Sequence, residues 1–241
     1  MNDHELRRQY AMVAVVFYLV WVVLFVCEGF VAVRLPTHDL TTSLDRYLPV
    51  MPQFVWFYVL CYLFPFTPIL VARDWHRMNI ALISVALCTL MAFVGHLALP
   101  VAFPRPVLGT GYSDRFVQFI YENDFRPGAQ NFPSLHVAIA WTIYFACHRQ
   151  GLGALREAAV LAIACLIIVS TVLIRQHLVV DLAGGTVLAF AVWFGVERWY
   201  ASRVNSTDDP IRTLKNMSAA CVPAGISLLL VLAGILGYQL H

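Results

Sequence analysis

The chain has 241 residues, 60% of them apolar, with a mean hydropathy of +0.73 and a formal net charge of +2. That apolar share exceeds the roughly 45–50% of an ordinary soluble domain, so the sequence reads as an integral membrane protein. Its basic residues are spread between apolar runs instead of clustering, which excludes a nucleic-acid-binding surface.

A helix needs about 20 apolar residues to cross the hydrocarbon core. Runs of that kind predict seven spans, at about 11–33, 53–72, 79–100, 133–148, 157–175, 178–198 and 218–240. The first run is too long for a signal-peptide core and lacks a small-residue cleavage site after it, so it reads as an uncleaved span. The longest gaps, 101–132 and 199–217, are loop-sized, and no internal repeat appears. The expected fold is all-α: a polytopic membrane helix bundle in a single domain, 1–241.

Charge sets the expected orientation. With the N-terminus cytoplasmic, that side receives Arg7, Arg8, Arg73, Arg77, Arg149, Arg156, Arg198, Arg203, Arg212 and Lys215. The opposite side receives Arg34, Arg46, Arg105, Arg115, Arg126 and Arg175, and ten against six satisfies the positive-inside rule. The cysteines, Cys27, Cys61, Cys88, Cys147, Cys165 and Cys221, fall in or beside apolar runs without close pairing. They read as small buried hydrophobes, with neither a disulfide framework nor a zinc site. Glycosylation-type triplets at Asn205 and Asn216 fall on the expected cytoplasmic side and read as chance matches.

Polar residues at membrane depth are costly and mark candidate sites. Three clusters share the expected extracytoplasmic side. In FPRP, 103–106, two prolines stiffen the chain around Arg105, whose guanidinium suits bidentate contact with phosphate; an interfacial arginine in a stiff loop is the plainer alternative. In NFPSLHVAIAW, 131–141, Pro133 suits the first turn of a helix, whose free N–H groups at Ser134, Leu135 and His136 can hold an anion. Ser134 can instead cap its own helix, and His136 is either a proton donor to a leaving oxygen or simply hydrogen-bonded.

The third cluster is STVLIRQHLVVDLAGG, 170–185. His177 and Asp181 are four apart, so on a helix the carboxylate can take the imidazole Nδ1 proton and leave Nε2 as a nucleophile. A metal reading of this pair lacks an obvious third ligand. Gly184-Gly185 reads as a place of close helix approach. A cationic grip, an anion-binding helix start, an acid histidine and a carboxylate-backed histidine together describe phosphoryl transfer through a phosphohistidine.

Arg105-Pro106, Pro133-Ser134-Leu135-His136, and Ser170 with His177 and Asp181 resemble the three signature blocks of the type 2 phosphatidic acid phosphatase superfamily, over about 96–186. The resemblance implies a core of about six helices and metal-independent chemistry with no cofactor. It implies His177 as nucleophile with Asp181 as its partner, His136 as general acid, and phosphate contacts at Arg105 and Ser134. Three positions depart from the family pattern: Ala98 and Thr171 stand where lysine and arginine are usual, and Leu135 replaces a glycine. Arg175 follows Thr171 by four residues, hence nearly on the same face if the helix persists, and is expected to supply the missing cation.

Pro-Ser-Leu-His with the shortened third block resembles the branch that includes inositol phosphorylceramide synthases and many bacterial membrane phosphatases. Water as acceptor makes a lipid phosphatase; a lipid or polyol hydroxyl makes a phosphotransferase. The expected substrate is an amphiphilic lipid phosphate, met at headgroup level on the extracytoplasmic face, which in a bacterium is the periplasmic side of the inner membrane. Glu28 and Asp124 are expected to be interfacial or solvated carboxylates, with tuning of headgroup choice as the alternative, and 113–125 can lie on the membrane surface. The rival from another class is an anion transporter lined by Arg105, Arg175 and the histidines.

Overall fold

The computed structural model describes residues 3–124, 129–205 and 207–217. The span expected at 218–240, Cys221 and Arg126 lie outside the described residues. Among those described, every regular element is helical, beside one isolated bridge between His38 and Val101. The chain packs as two compact units, Met1–Trp199 and Tyr200–His241. The three signature blocks lie in the first.

Among the described residues, five helical stretches are long and apolar enough to cross a membrane: Asp3–Ala32, Pro52–Val71, Trp75–Ala98, Ala154–Leu173 and Val179–Ala201. They coincide with the expected spans one, two, three, five and six. Helix α1 (Asp3–Ala32) turns Val16, Leu19, Val23 and Phe30 outward, the surface of a helix that faces lipid. A short helix α2 (Ser43–Tyr47) follows, opened by a capping box of Thr42 and Asp45.

The second stretch is broken. Pro52, Pro65 and Pro68 each sit at the start of a new segment, because proline removes a backbone donor and clashes with the preceding turn. Helices α3 (Val55–Tyr58) and α4 (Thr67–Val71) alternate with 3-10 turns at Pro52–Phe54, Val59–Tyr62 and Phe64–Phe66. Irregular backbone is tolerated at membrane depth where it lines a cavity, and Tyr58, Cys61 and Tyr62 do so.

Helix α5 (Trp75–Ala98) is capped by Asp74, and the amphipathic helix α6 (Tyr112–Asn123) buries Val117 and Tyr121 against Val55, Tyr58 and Ile174. The expected fourth span is helix α7 (Leu135–Cys147), only 13 residues, or roughly 20 Å at 1.5 Å per residue. It falls short of the hydrocarbon thickness of about 30 Å. Val137, Ala140, Ile143 and Cys147 pack against Val160, Ala164, Ile167 and Ile168 of helix α8 (Ala154–Leu173).

Helix α9 (Val179–Ala201) closes on α7 through its paired glycines. A Cβ on Gly185 would lie 2.4 Å from the Ser134 carbonyl oxygen, and one on Gly184 would lie 2.7 Å from the Phe132 ring. From the other side, a Cβ on Gly95 of α5 would lie 2.5 Å from Pro133 Cδ. The Phe132–Ser134 segment is thus gripped between two helices that only glycine lets so close. The starts of α7 and α9 and the ends of α1, α5 and α8 meet at one end of the bundle.

Candidate active site

Two histidines face each other at that end. His136 Nδ1 lies 3.1 Å from His177 Nε2. One ring must donate and the other accept, so the pair holds a single shared proton in its neutral form. The His136 ring also packs on Tyr58 and Tyr62, with centroids 4.9 and 6.3 Å away. His177 is 3% exposed and Asp181 is fully buried.

His177 precedes α9 and does not lie on it, so its closeness to Asp181 arises at a helix start and not along a helix face. Asp181 reaches back from the first turn. Its Oδ2 accepts the Leu178 N–H at 2.8 Å and lies 3.4 Å from His177 Nδ1, within ion-pair range though not aligned as a hydrogen bond. Asp45 of α2 takes the next free amide, Val179 N–H, at 2.8 Å. Two carboxylates therefore satisfy two of the backbone donors at the start of α9, and the turn that carries His177 is fixed between them. Asn131 braces it further by donating to the Gln176 carbonyl at 2.8 Å.

Ser134 is the N-cap of α7, its Oγ accepting the Val137 N–H at 3.4 Å. Helix α7 therefore begins at Leu135, and Pro133 stands outside it instead of in its first turn as the sequence suggested; the proline is held by Gly95 and Gly184. The Ser134 N–H is committed to the Asp181 carbonyl at 3.1 Å, which ties the second block to the third. The N–H groups of Leu135 and His136 are the first-turn donors that helix geometry leaves without an intrahelical acceptor.

Arg105 stacks between the rings of Phe103 and Tyr121, 4.8 and 4.7 Å from their centroids. Its guanidinium donates to the Arg175 carbonyl and, at 2.9 Å, to Asp124 Oδ2. Gln176 Nε2 donates to the same carboxylate at 3.0 Å. Burial pushes the Asp124 carboxyl above its ordinary range, and Arg105 and Gln176 only partly offset this. Burial likewise draws Arg105 down, opposed by Asp124, although a guanidinium keeps its charge at any working pH.

Arg175 differs from its expectation. Helix α8 ends at Leu173, and Arg175 sits in the left-handed region with φ of 54°. The helix does not persist to bring it onto the face of Thr171; its Nη2 donates to the Leu48 carbonyl at 2.7 Å. Thr171 and Ser170 bond to carbonyls of their own helix. Glu28 and Asp124 are also not the solvated carboxylates expected: Glu28 is 6% exposed and paired with His96, and Asp124 is paired with Arg105.

His136, His177, Asp124 and Gln176 line one end of a cavity of about 460 Å³. Its other walls are largely apolar and aromatic, among them Tyr10, Ala14, Phe17, Tyr18, Trp21 and Phe25 along one stripe of α1. That stripe covers about 15 residues, roughly 22 Å of helix. Arg105 itself lines a separate outer cleft with Arg115, Tyr121 and Glu122, and meets the cavity through Asp124. Arg105 Nε, Gln176 Oε1, His177 Nδ1 and Asp181 Oδ1 are buried without a hydrogen-bond partner, four of the seven such side-chain atoms among the described residues. No group of three or more His, Cys, Asp or Glu among the described residues is placed to hold a metal ion.

The sequence model of the PAP2 superfamily matches residues 37–195. The chain belongs to the PAP2 superfamily. Membership identifies it as a phosphatase-type phosphoesterase. Comparisons with curated proteins and with solved structures return no match. The matched region of this PAP2 chain contains all three signature blocks and also Asp45, Tyr58, His96, Asp124 and Gln176, which the blocks do not name. Of these, His96 was visible as an ionisable residue inside an apolar run, and Gln176 as the neighbour of His177. Asp45 and Tyr58 carried no local signal, since only tertiary packing brings them to α9 and His136.

Proposed function

We propose that this PAP2 chain is a membrane lipid-phosphate phosphatase that works without a metal through a phosphohistidine on His177. The observation that carries the reading is the 3.1 Å contact of His136 and His177 at the polar end of a cavity with apolar walls. A phosphate enters between the two nitrogens, which part to admit it, while the hydrocarbon portion lies against α1 and the broken second stretch.

Asp181 favours the His177 tautomer with its proton on Nδ1, which leaves the Nε2 lone pair to attack phosphorus. The N–P bond forms as the ester P–O bond breaks, and His136 gives its Nδ1 proton to the departing oxygen. Water then attacks the phosphohistidine, His136 takes back a proton, and phosphate leaves. Arg105, the first turn of α7 at Ser134 and, once it leaves Leu48, Arg175 stabilise the developing charge. The N-terminus is assigned to the cytoplasm and this site to the opposite face, on the arginine distribution.

Phosphate release in detergent from phosphatidic acid, phosphatidylglycerol phosphate and polyprenyl phosphates tests this, with the parent chain, His177→Ala and His136→Ala, in excess chelator. Release by the parent that is indifferent to chelator and abolished by His177→Ala is the expected result. Release that survives His177→Ala overturns the mechanism. No release from any of these lipids, with transfer once a hydroxyl acceptor is supplied, replaces the hydrolase by a phosphotransferase.

A further inference from the structure

Glu28 and His96 are both buried, near the ends of α1 and α5, with side chains 4% and 1% exposed. Ionisable residues so placed in apolar helices are costly and mark candidate functional positions. His96 Nδ1 lies 3.0 Å from Glu28 Oε1, and His96 Nε2 lies 3.1 Å from the Pro133 carbonyl oxygen. Glu28 Oε2 accepts from Gln130 Nε2 at 2.9 Å, and the same nitrogen reaches the Phe25 carbonyl at 3.0 Å.

The partners fix the protons. A carbonyl only accepts, so His96 Nε2 carries a hydrogen. The contact on Nδ1 then needs one more proton, either on the ring facing a carboxylate or on Glu28 facing the ring. The pair therefore holds that proton between them, and its outward donor is directed at the residue immediately before the N-cap of α7. Gly95, next to His96, lets α5 approach the same proline closely. Three residues beyond Pro133, on the first turn of α7, stands His136.

We infer that Glu28 and His96 are positioning residues: through the Pro133 carbonyl they set where α7 begins, and so hold His136 in register with His177. This rests on the phosphohistidine reading for its kinetic consequence, although the placement of the helix start can be tested without it. A geometric error of about 1 Å at a reacting pair costs on the order of 10²-fold in rate.

Two amides at position 96 separate the two halves of the contact. A glutamine amide reaches about as far as imidazole Nε2 and an asparagine amide about as far as Nδ1. His96→Gln thus keeps the donor to Pro133 and gives up Glu28, whereas His96→Asn does the reverse. At position 28, Glu28→Gln can donate its amide to Nδ1 of a neutral His96, and Glu28→Leu cannot.

Amide hydrogen exchange of the segment 130–138 in detergent is measured on the full chain, together with the kcat and KM of phosphate release and inhibition by orthovanadate. His96→Asn and Glu28→Leu are expected to speed exchange in 130–138 at least tenfold while α8 keeps its parental protection. They should lower kcat by about 10- to 100-fold, with KM within threefold. His96→Gln and Glu28→Gln should stay within threefold of the parent in both readouts.

Parental exchange in Glu28→Leu, or a larger loss in His96→Gln than in His96→Asn, overturns the inference. If Glu28→Leu fails to fold, the glutamine and asparagine variants at 96 still decide it by the order of their effects. If the parent releases no phosphate, the catalytic reading fails and the exchange data alone decide whether the pair sets the helix start.

Discussion

Arg105 Nη2 donates to Asp124 Oδ2 at 2.9 Å, so the guanidinium assigned to a phosphate already holds a carboxylate. Gln176, beside the proposed nucleophile, holds the same carboxylate. An entering phosphate and Asp124 must then compete for these donors. Asp124→Asn keeps an acceptor for Arg105 but removes the competing charge. Orthovanadate inhibition should tighten about tenfold, the equivalent of about 1.4 kcal/mol, with KM lowered and kcat not raised. Weaker vanadate inhibition in this variant would make Asp124 part of the phosphate grip instead of its rival.

The same carboxylate gives a pH signature. Burial raises its folded pKa above that of the unfolded chain, so the folded protein binds this proton more tightly. Its stabilising contribution is fully present below the ordinary aspartate value of about 3.9 and is lost as pH rises through the raised folded value. The melting temperature of the parent, measured against Asp124→Asn, should therefore fall as pH climbs from about 4 towards neutrality. A difference that is constant over this range, or that grows with pH, contradicts the assignment.

Asp181 has two duties that one substitution can separate. Its Oδ2 both caps the Leu178 N–H and faces His177 Nδ1. Asp181→Asn can still cap through its amide oxygen, which can also still accept from Nδ1–H, but without the negative charge it no longer stabilises a positive ring. We expect kcat to fall at least about 10²-fold, the scale of acid–base effects, while the melting temperature moves by only a few degrees. A collapse of stability with the residual activity of folded protein unchanged would reduce Asp181 to a helix cap.

Helix placement was legible in the chain because membrane spans declare themselves by length and apolarity; Trp75–Ala98 and Val179–Ala201 lie close to the spans read from hydropathy alone. The pairing of His136 with His177 was legible as a shared membrane face, since spacing and topology suffice for that. Three features were not. Arg175 leaves its helix because α8 stops at Leu173, and nothing local announces that stop. Pro133 favours a helix start by its own geometry, yet Ser134 takes the cap and the proline is gripped from outside by Gly95 and Gly184. Glu28 looked interfacial because its partner lies 68 residues away on another helix. Burial of a charge is decided by such partners, and these are tertiary.

Gly184 and Gly185 were expected to let helices approach, and their surroundings differ enough to separate packing from catalysis. A Cβ at 185 would press on the Ser134 carbonyl oxygen at 2.4 Å and on Val137 Cβ at 2.9 Å, backbone and branched carbon that cannot swing aside. A Cβ at 184 would meet the Phe132 ring at 2.7 Å, which can rotate, and Pro133 Cβ at 3.1 Å, a tight contact that is milder than either one at 185. Overpacking costs about 1–3 kcal/mol where the neighbours cannot yield. Gly185→Ala should therefore lower the melting temperature more than Gly184→Ala, and it should also lose activity at temperatures where it remains folded, because relief requires α7 to move away from α9 and carries His136 from His177. Gly184→Ala should retain activity within a few-fold. Equal effects of the two on kcat would mean that the glycines serve only helix packing, with the distance between the histidines set elsewhere.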